Sequence, residues 1–594
     1  MSADAAIPAS GAARGAPRIC YAIFVVVVGV LPWLPINTFA IFLAQSFCYT
    51  AIAVIGLNIL LGLSGQMSLG QAGFYALGSY GSALMALKFG WPVLVAMVFG
   101  TIVAALGGLL VSIFASRTRG LYLAMATMAV GFIIEILAQR WVTLTGGAMG
   151  LPGIPQIDGV ARFLWLTAAC LLVVQIGADY VNDSFIGRRL RAIRESETFA
   201  ASVGVSVPLW RAVTFTACAA LAGLSGALFV HQVGYVGSDA FAIRLSISFL
   251  IAAVIGGLGK RSGPWLGTLI LLGIVEALAG VEKYGLMIYG AILLCVLLAF
   301  PEGASGLIAR AYAAFRRKPT APATDAAPTH DHRLKLEGMP AGARLVIENV
   351  SKSYAGLKAV DGVSITVQPG TVHGLIGPNG AGKSTLINLV AGLYRCDTGR
   401  IAIDVRDVTA LDTTQRAALG LARTFQNLQL IEVLTALENV MLGRAQRSGI
   451  ARDFADWWRG SRFEEAARAE CLEIMAFLGI GHVADRLPGE LSYGHRKMVE
   501  LARAIAQRSS LMLLDEPIAG LNTIEAREIA ESVRRHKEAG TTIVVVEHNM
   551  EFVMSICDEI SVLDHGELIM TGPSEAVRRD PRVISAYLGG GAGP

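Results

Sequence analysis

The sequence predicts a polytopic α-helical membrane domain of about ten spans followed by an α/β P-loop domain. Three observations carry this. First, 54% of the 594 residues are hydrophobic, only 16% are charged, and mean hydropathy is +0.57. Second, these averages hide a split. Residues 19–300 hold repeated apolar runs rich in Gly and Ala, whereas 344–594 have ordinary globular composition. Third, the globular half contains GPNGAGKST at 377–385, a glycine-rich phosphate loop. Several apolar runs reach the roughly 20 residues a bilayer crossing needs, which excludes one large apolar soluble enzyme. A net charge of +4 is too small to argue for nucleic acid. None of the eight cysteines forms a CxxC pair, so neither a zinc site nor a disulfide framework is suggested.

Taken in order, residues 1–17 are small and polar and read as a disordered lead-in. The run ICYAIFVVVVGVLPWLPI reads as a first span rather than a signal peptide, because it has no small-x-small cleavage site and further apolar runs follow. Spans are expected near 18–36, 38–62, 67–87, 91–115, 120–139, 162–181, 209–235, 245–258, 264–281 and 284–300, the 245–258 run being short for a crossing. With the N-terminus inside, Arg117, Arg119, Lys260, Arg261 and the Arg316–Arg317–Lys318 cluster fall on the cytoplasmic side. Lys88, Arg140, Arg162, Arg244 and Lys283 fall outside as scattered single charges. Also inside is GRRLRAIRESETFAASVG, 187–204, an amphipathic stretch with Arg188, Arg189, Arg191 and Arg194 between long apolar runs. An even number of spans therefore leaves the second half in the cytoplasm.

Small residues crowd 62–81, GLSGQMSLGQAGFYALGSYG, where Ser68, Ala72 and Ala76 recur at helical spacing and suit close helix packing in lipid. Gln66, Gln71, Glu135 and Glu276 lie inside or beside apolar runs, where polar groups need partners; packing within the bundle is the simpler reading than a substrate pathway. Residues 316–343, rich in Pro and Ala with mixed charge, read as a flexible linker, and His330 and His332 within it as solvated. The domains are thus 1–17, 18–315, 316–343 and 344–594.

In the globular half, Gly377, Gly380 and Gly382 let backbone N–H groups curl around phosphates, with Asn379 in the same loop. Lys383 reaches β and γ oxygens, Ser384 suits Mg²⁺, and Thr385 follows at the positive end of a helix. LMLLDEP, 511–517, reads as an apolar strand ending in two acids. Asp515 suits a Mg²⁺-linked water, and Glu516 is placed to polarise the attacking water of a phosphoryl transfer. TTIVVVEH ends at His548, within reach of a γ-phosphate. LSYGHRK, 491–497, opens another helical pattern, so that Ser492 and Gly494 form a second anion site.

GPNGAGKST, the TFQ around Gln426, LSYGHRK, LLDEP, AGLN and the final His548, in that order, resemble an ATP-binding-cassette (ABC) domain. The resemblance implies that Tyr354 stacks on adenine and that Gln426 senses Mg²⁺ and the membrane domain. Mg²⁺ ligation then falls to Ser384, Gln426 and Asp515. Ser492 and Gly494 contact the γ-phosphate of ATP held by an opposite cassette, and Asn522 lies where cassettes touch. Two departures stand out: LSGGQ reads LSYGH, with Tyr493 and His495, and SALD reads AGLN.

ARTFQNLQLIEVLTALENVMLG, LSYG and AGLN are similar to the ATPase subunit of branched-chain (hydrophobic) amino acid importers. The membrane half resembles their permease subunit in GLSGQMSLGQAGFYALGSY, TRGLYLAMATMAVGF, LTGGAMGL, GRRLRAIRESETFAASVGVSVPLWRAVTFTACAALAGLSGAL and SFLIAAVIGGLGKRSGPWLG. The chain thus resembles a fusion of two subunits. This implies an ATP- and Mg²⁺-dependent translocase in the bacterial inner membrane. Its partners are a second permease subunit, a second ATPase subunit and a periplasmic solute-binding protein, with a homodimer as the alternative assembly. In this reading 187–204 is the coupling loop facing the cassette, with Glu197 and Gly204 in its second part. Urea, short amides or aromatic acids are rival substrates. An exporter half-transporter, expected to show about six spans with long cytoplasmic helical extensions, and a membrane-tethered regulatory ATPase are rival functions.

Overall fold

The computed structural model describes residues 16–277 except 36, 116, 117 and 119, scattered positions within 287–294, then 303–308, 340–447 and 462–588. Arg117, Arg119, Lys283, most of the expected span 284–300, the 316–318 cluster, His330, His332 and most of the expected lead-in and linker lie outside the described residues. The chain divides into two compact units. One comprises Met1–Glu195 and Val207–Ala321, the other Ser196–Ser206 and Pro322–Pro594.

The first unit is helical: α1 (Ala16–Val30), α2 (Thr38–Leu57), α3 (Gln71–Phe89), α4 (Val93–Ala115), α5 (Leu121–Arg140), the single turn α6 (Val142–Thr145), α7 (Val160–Asp183) and α8 (Phe185–Glu195). The short α9 (Glu197–Ser202) falls in the second unit. The chain then returns with α10 (Val207–Val233), α11 (Ile243–Gly256) and α12 (Gly263–Ala277). A two-residue antiparallel pair, β1 (Leu151–Pro152) with β2 (Tyr235–Val236), ties two loops together.

Among the described residues, six helical stretches are long and apolar enough to cross a membrane: Thr38–Leu63, Val93–Phe114, Leu121–Arg140, Val160–Asp183, Val207–Val233 and Ser238–Gly256. The expectation of about ten is therefore met only in part. The short 245–258 run is one of the six, lengthened by the 3₁₀ turn before it. At 19 residues α3 is long enough, but Gln71, Ser79 and Ser82 dilute its apolar character. The helices α1 and α12, of 15 residues each, fall short of the length that spans the hydrocarbon core.

Packing in this unit is set by small residues. The central α10 lies along α2, α3 and α4. At the α3–α10 crossing, a Cβ added at Gly78 would overlap the backbone of Gly223, so the two helices meet backbone to backbone. Ser79 Oγ uses this approach to donate to the Gly226 carbonyl at 2.9 Å. Lipid offers no hydrophobic drive for helix association, so close contact and interhelical hydrogen bonds carry it.

The second unit is α/β. A six-stranded sheet runs in the order β12–β11–β5–β10–β9–β8, and a four-stranded antiparallel sheet β4–β3–β6–β7 packs against it. The strands are β3 (Leu345–Tyr354), β4 (Leu357–Val367), β5 (Val372–Ile376), β6 (Thr398–Ile403), β7 (Arg406–Asp407), β8 (Leu421–Arg423), β9 (Leu511–Asp515), β10 (Thr542–Val546), β11 (Glu559–Asp564) and β12 (Glu567–Gly572). The helices are α13 (Lys383–Val390), α14 (Thr413–Ala418), α15 (Ala436–Met441), α16 (Arg462–Phe477), α17 (Tyr493–Ala506), α18 (Thr523–Glu538), α19 (Met550–Ile556), α20 (Ser574–Arg579) and α21 (Pro581–Leu588). Strands β5, β9 and β10 are buried at every position, which is why VHGLI, LMLLD and TIVVV read as continuous apolar runs rather than alternating ones. Leu345, Ile347, Leu375, Leu386, Leu513 and Val544 join both sheets and α13 in one core.

The backbone contact at Gly78 yields a direct test. Gly78→Leu must force α3 and α10 apart, at an overpacking cost of ~1–3 kcal/mol, and should lower the thermal midpoint of the detergent-solubilised protein. Gly177→Leu on α7, where a Cβ meets nothing within 4 Å, should leave it unchanged. Equal midpoints for the two variants would contradict the crossing described.

Candidate functional site

Parallel pairing lays the candidate residues in a row. Within the register β5–β10–β9–β8, Leu375 faces Val546, Val546 faces Asp515, and Leu513 faces Arg423. The carboxyl ends of four neighbouring strands therefore open onto one edge, where open α/β sheets bind ligands. From β5 comes the phosphate loop, from β10 Glu547 and His548, from β9 Asp515 and Glu516, and from β8 Arg423 through Gln426.

The phosphate loop turns at Gly377, Gly380 and Gly382, with φ of 154°, 85° and 96°. At Gly382 a Cβ would also run into the Ala359 carbonyl, so only glycine fits the turn. Asn379 and Gly380 are exposed at its tip, Ser384 is exposed and Thr385 half-buried in the first turn of α13. The ammonium of Lys383 donates to the Gly377 and Pro378 carbonyls at 2.7 and 2.9 Å, curled back over its own loop. Burial lowers its pKa, against the pull of Glu516 and Asp515.

Asp515 is buried, its N–H held by Thr424 Oγ1 at 3.1 Å. Burial raises its pKa, and the Arg423 guanidinium at 3.3 Å pulls it back. Glu516 sits at φ 47°, a left-handed conformation that non-glycine residues seldom adopt, with its N–H bonded to Val546 O at 2.9 Å. Gln426 Nε2 donates to Glu516 Oε2 at 3.2 Å, which joins these two predicted residues directly. His548 is exposed and its contact is with Glu547, at 3.7 Å. Glu547 itself is fully buried and accepts from the N–H groups of Ile518 and His548 at 3.0 and 3.1 Å. Its pKa is raised by burial.

Ser492 caps α17. Its Oγ accepts from His495 N at 3.2 Å and lies 3.0 Å from His495 Nδ1, so the unusual histidine contacts the signature serine itself. Gly494 is pressed against the Glu525 side chain, which a Cβ would overlap. The contacts of Ser492 and Gly494 are thus with their own segment and with α18, not with the phosphate loop. Asn522 caps α18, accepting from Ile524 N and Glu525 N at 2.9 Å each. Tyr354 ends β3 partly exposed, edge-on to Tyr394 with ring centroids 5.9 Å apart.

The 187–204 stretch is two helices with different surroundings. In α8, Arg188 and Arg191 donate to the Asp183 and Asn182 carbonyls at 3.2 and 3.1 Å, satisfying the C-terminal end of α7. Arg189 lies over the Trp210 ring, and Arg194 donates to the Gly62 carbonyl at 2.6 Å. That carbonyl belongs to a π-helical turn, Asn58–Leu63, that ends α2. The contacts of these four arginines described above are to carbonyls and a ring of the first unit. In α9, Glu197 lies in the first turn behind the Ser196 cap, and Gly204 at φ 80° ends the segment.

Among the intramembrane candidates, Gln66 Nε2 donates to Ser64 Oγ at 2.9 Å and Gln71 Nε2 to Cys218 Sγ at 2.7 Å, while Glu135 is half-buried and Glu276 exposed. Sequence reasoning missed His231, buried between Ser82 Oγ at 2.8 Å and the Pro155 carbonyl at 2.7 Å, and the neighbouring Gln232, which donates to Gln45 Oε1 at 2.8 Å. It also missed Arg423, Glu547, Lys497, Glu500 and Arg503. A charged residue in an otherwise apolar helical or strand pattern was the available signal.

The family described as "Branched-chain amino acid transport system / permease component" matches residues 39–297. The ABC transporter family matches 360–519, and "Branched-chain amino acid ATP-binding cassette transporter" matches 567–593. The chain is 35% identical over 246 residues to a probable branched-chain amino acid transport ATP-binding protein LivG of Methanocaldococcus jannaschii, covering 41% of this chain and 96% of that one. It is 35% identical over 251 residues to the high-affinity branched-chain amino acid transport ATP-binding protein BraF of Pseudomonas aeruginosa, covering 41% and 97%. It is also 34% identical over 245 residues to the lipopolysaccharide export system ATP-binding protein LptB of Haemophilus influenzae, covering 41% and 97%. Matches of branched-chain type fall in both halves of one polypeptide, and the chain belongs to that ABC transporter family as a fusion of permease and ATP-hydrolysing cassette.

Proposed function

We propose that this chain is the membrane-and-ATPase component of an importer that couples ATP hydrolysis to uptake of branched-chain amino acids across a bacterial inner membrane, with its cassette in the cytoplasm. The observation that carries the reading is the match of the permease half, residues 39–297, to a branched-chain amino acid permease in the same chain as a branched-chain-type cassette. The relative named for lipopolysaccharide export is similar only to the cassette, so the direction of transport is argued from the membrane half. The domains are 18–315 for the permease, 316–343 for the linker and 344–594 for the cassette, and α1, α3, α12 and 284–300 complete a bundle of about ten crossings.

In this reading the ammonium of Lys383 leaves the Gly377 and Pro378 carbonyls for the β and γ oxygens of ATP, and the N–H groups of 379–385 close around them. Tyr354 stacks on the base. Glu516 holds the attacking water while Gln426, already bonded to it, reports whether the site is filled. His548 approaches the γ-phosphate once a second cassette brings its signature segment, and Ser492 and Gly494 serve the partner's ATP in return. Ser384 Oγ, the Gln426 side-chain oxygen and Asp515 are hard oxygen donors, a set that fits Mg²⁺. When bound, the ion neutralises charge developing between the β- and γ-phosphates. A second permease, a second ATPase subunit and a periplasmic binding protein complete the machine.

Lys383→Ala should abolish ATP-driven uptake, and normal uptake by it would remove the assigned phosphate site. Glu516→Gln should retain ATP but slow its hydrolysis by on the order of 100-fold or more, measured as release of phosphate from the assembled complex; unchanged turnover would take Glu516 out of catalysis. Arg191→Glu with Arg194→Glu should leave hydrolysis running without uptake, and a fully coupled variant would sink the coupling role of 187–204. The substrate is tested by uptake of labelled leucine, isoleucine and valine in cells with and without the gene. Unchanged uptake would move the substrate to urea, short amides or aromatic acids.

A further inference from the structure

The signature helix α17 carries three charged residues on one buried face. Lys497, Glu500 and Arg503 recur every third position, and their exposures are 4%, 2% and 2%. Each reaches the 425–429 segment at a different point. Lys497 Nζ points to the Gln426 and Glu516 carbonyls at 3.5 and 3.4 Å. Glu500 Oε1 accepts from Phe425 N at 3.2 Å. Arg503 Nη1 donates to the Gln429 carbonyl at 2.5 Å, and its Nη2 lies 3.5 Å from Glu500 Oε1. The glutamine loop, 425–429, is therefore gripped at both ends by one helix whose N-terminus is the Ser492–Gly494 segment.

The same pair reaches α9. The Arg503 guanidinium lies 4.1 Å from the centre of the Phe199 ring, and Phe199 is itself buried and edge-on to Phe425 at 6.4 Å. Two buried charges are costly unless every donor and acceptor is used, and a hydrophobic pair of the same volume would usually serve stability as well or better. The arrangement instead places a fixed polar contact between the signature helix, the 425–429 segment and α9.

We infer that Glu500 and Arg503 are positioning residues that bind the signature helix, the glutamine loop and Phe199 of α9 into one mechanical element, so that nucleotide-driven movement at Gln426 is delivered to 196–206. This rests on the ATP-driven reading above but not on any particular solute. Neither residue touches ATP; both act through Phe425, Gln429 and Phe199.

The test is hydrogen exchange of the 196–206 peptide in the full-length chain assembled with its partner subunits, with and without ATP and vanadate. Wild type should gain protection in that peptide when nucleotide is trapped. Because removing one charge alone strands the other, the variant is the double substitution Glu500→Gln with Arg503→Met, which keeps an acceptor for Phe425 N. It should trap the same amount of nucleotide as wild type yet lose the protection change in 196–206. Arg503→Lys with Glu500 intact should restore at least half of the change. A double variant that traps nucleotide and still protects 196–206 overturns the inference, because the pair would then be structural only. A double variant that fails to trap nucleotide also overturns it, since the pair would then be needed for the ATP site itself. If wild type traps none, the ATP-driven reading fails first, and solute identity affects neither result.

Discussion

The parallel register of β5, β10, β9 and β8 is the constraint on which the ATP site depends. It brings neighbouring strand ends to within two residues of one another, so that side chains about 170 positions apart in sequence arrive on one edge. Buried on both faces, these strands cannot slip without exposing apolar side chains or stranding backbone groups. What stands beyond their ends can therefore tolerate unfavourable local states. Glu516 holds a left-handed backbone, Asp515 and Arg423 share a dry contact, and Glu547 is a carboxylate with no exposure. Each is the kind of local cost that a rigid scaffold over-determines.

The membrane unit is held by a different force. Its helices gain little from burying apolar surface out of lipid, so glycine-mediated approach and shared hydrogen bonds do the joining. Gly78 against Gly223 and Ser79 on the Gly226 carbonyl are the approach. The chain Gln45–Gln232 and the bridge Ser82–His231–Pro155 are the polar part, and every polar group placed there must find a partner within the bundle. The π-helical end of α2 follows the same rule. Its loosened carbonyl at Gly62 is taken by Arg194, and Asn58 bonds Gly259 and Lys260.

The arginine stretch at 187–204 joins these two regimes in sequence, and its division into α8 and α9 gives each part its own work. Arg188 and Arg191 of α8 cap α7, where cations at a helix C-terminus are electrostatically favoured. The α9 portion presents an aromatic ring, and the guanidinium stacked on it comes from Arg503. Positive-inside topology accounts for arginines in such a loop, but not for the phenylalanine among them.

Much of this was legible in one dimension because it is local. A phosphate loop needs glycines at fixed offsets, a buried parallel strand needs an unbroken apolar run, and a bilayer span needs length. Gly377 through Thr385, Asp515, Glu516 and Gln426 were therefore visible as motifs, and the two-part architecture as a change of composition. Span count was legible only in part, since α3 mixes serine and glutamine with its apolar residues and α1 and α12 are short. Tertiary structure alone decided which long-range groups meet. That Arg423 faces Asp515, that Lys497, Glu500 and Arg503 close on the 425–429 loop, and that Arg194 finds Gly62 follow from strand register and helix docking. A buried charge is stable only with its partner in place, and the partner's position is set by the fold, not by spacing along the chain.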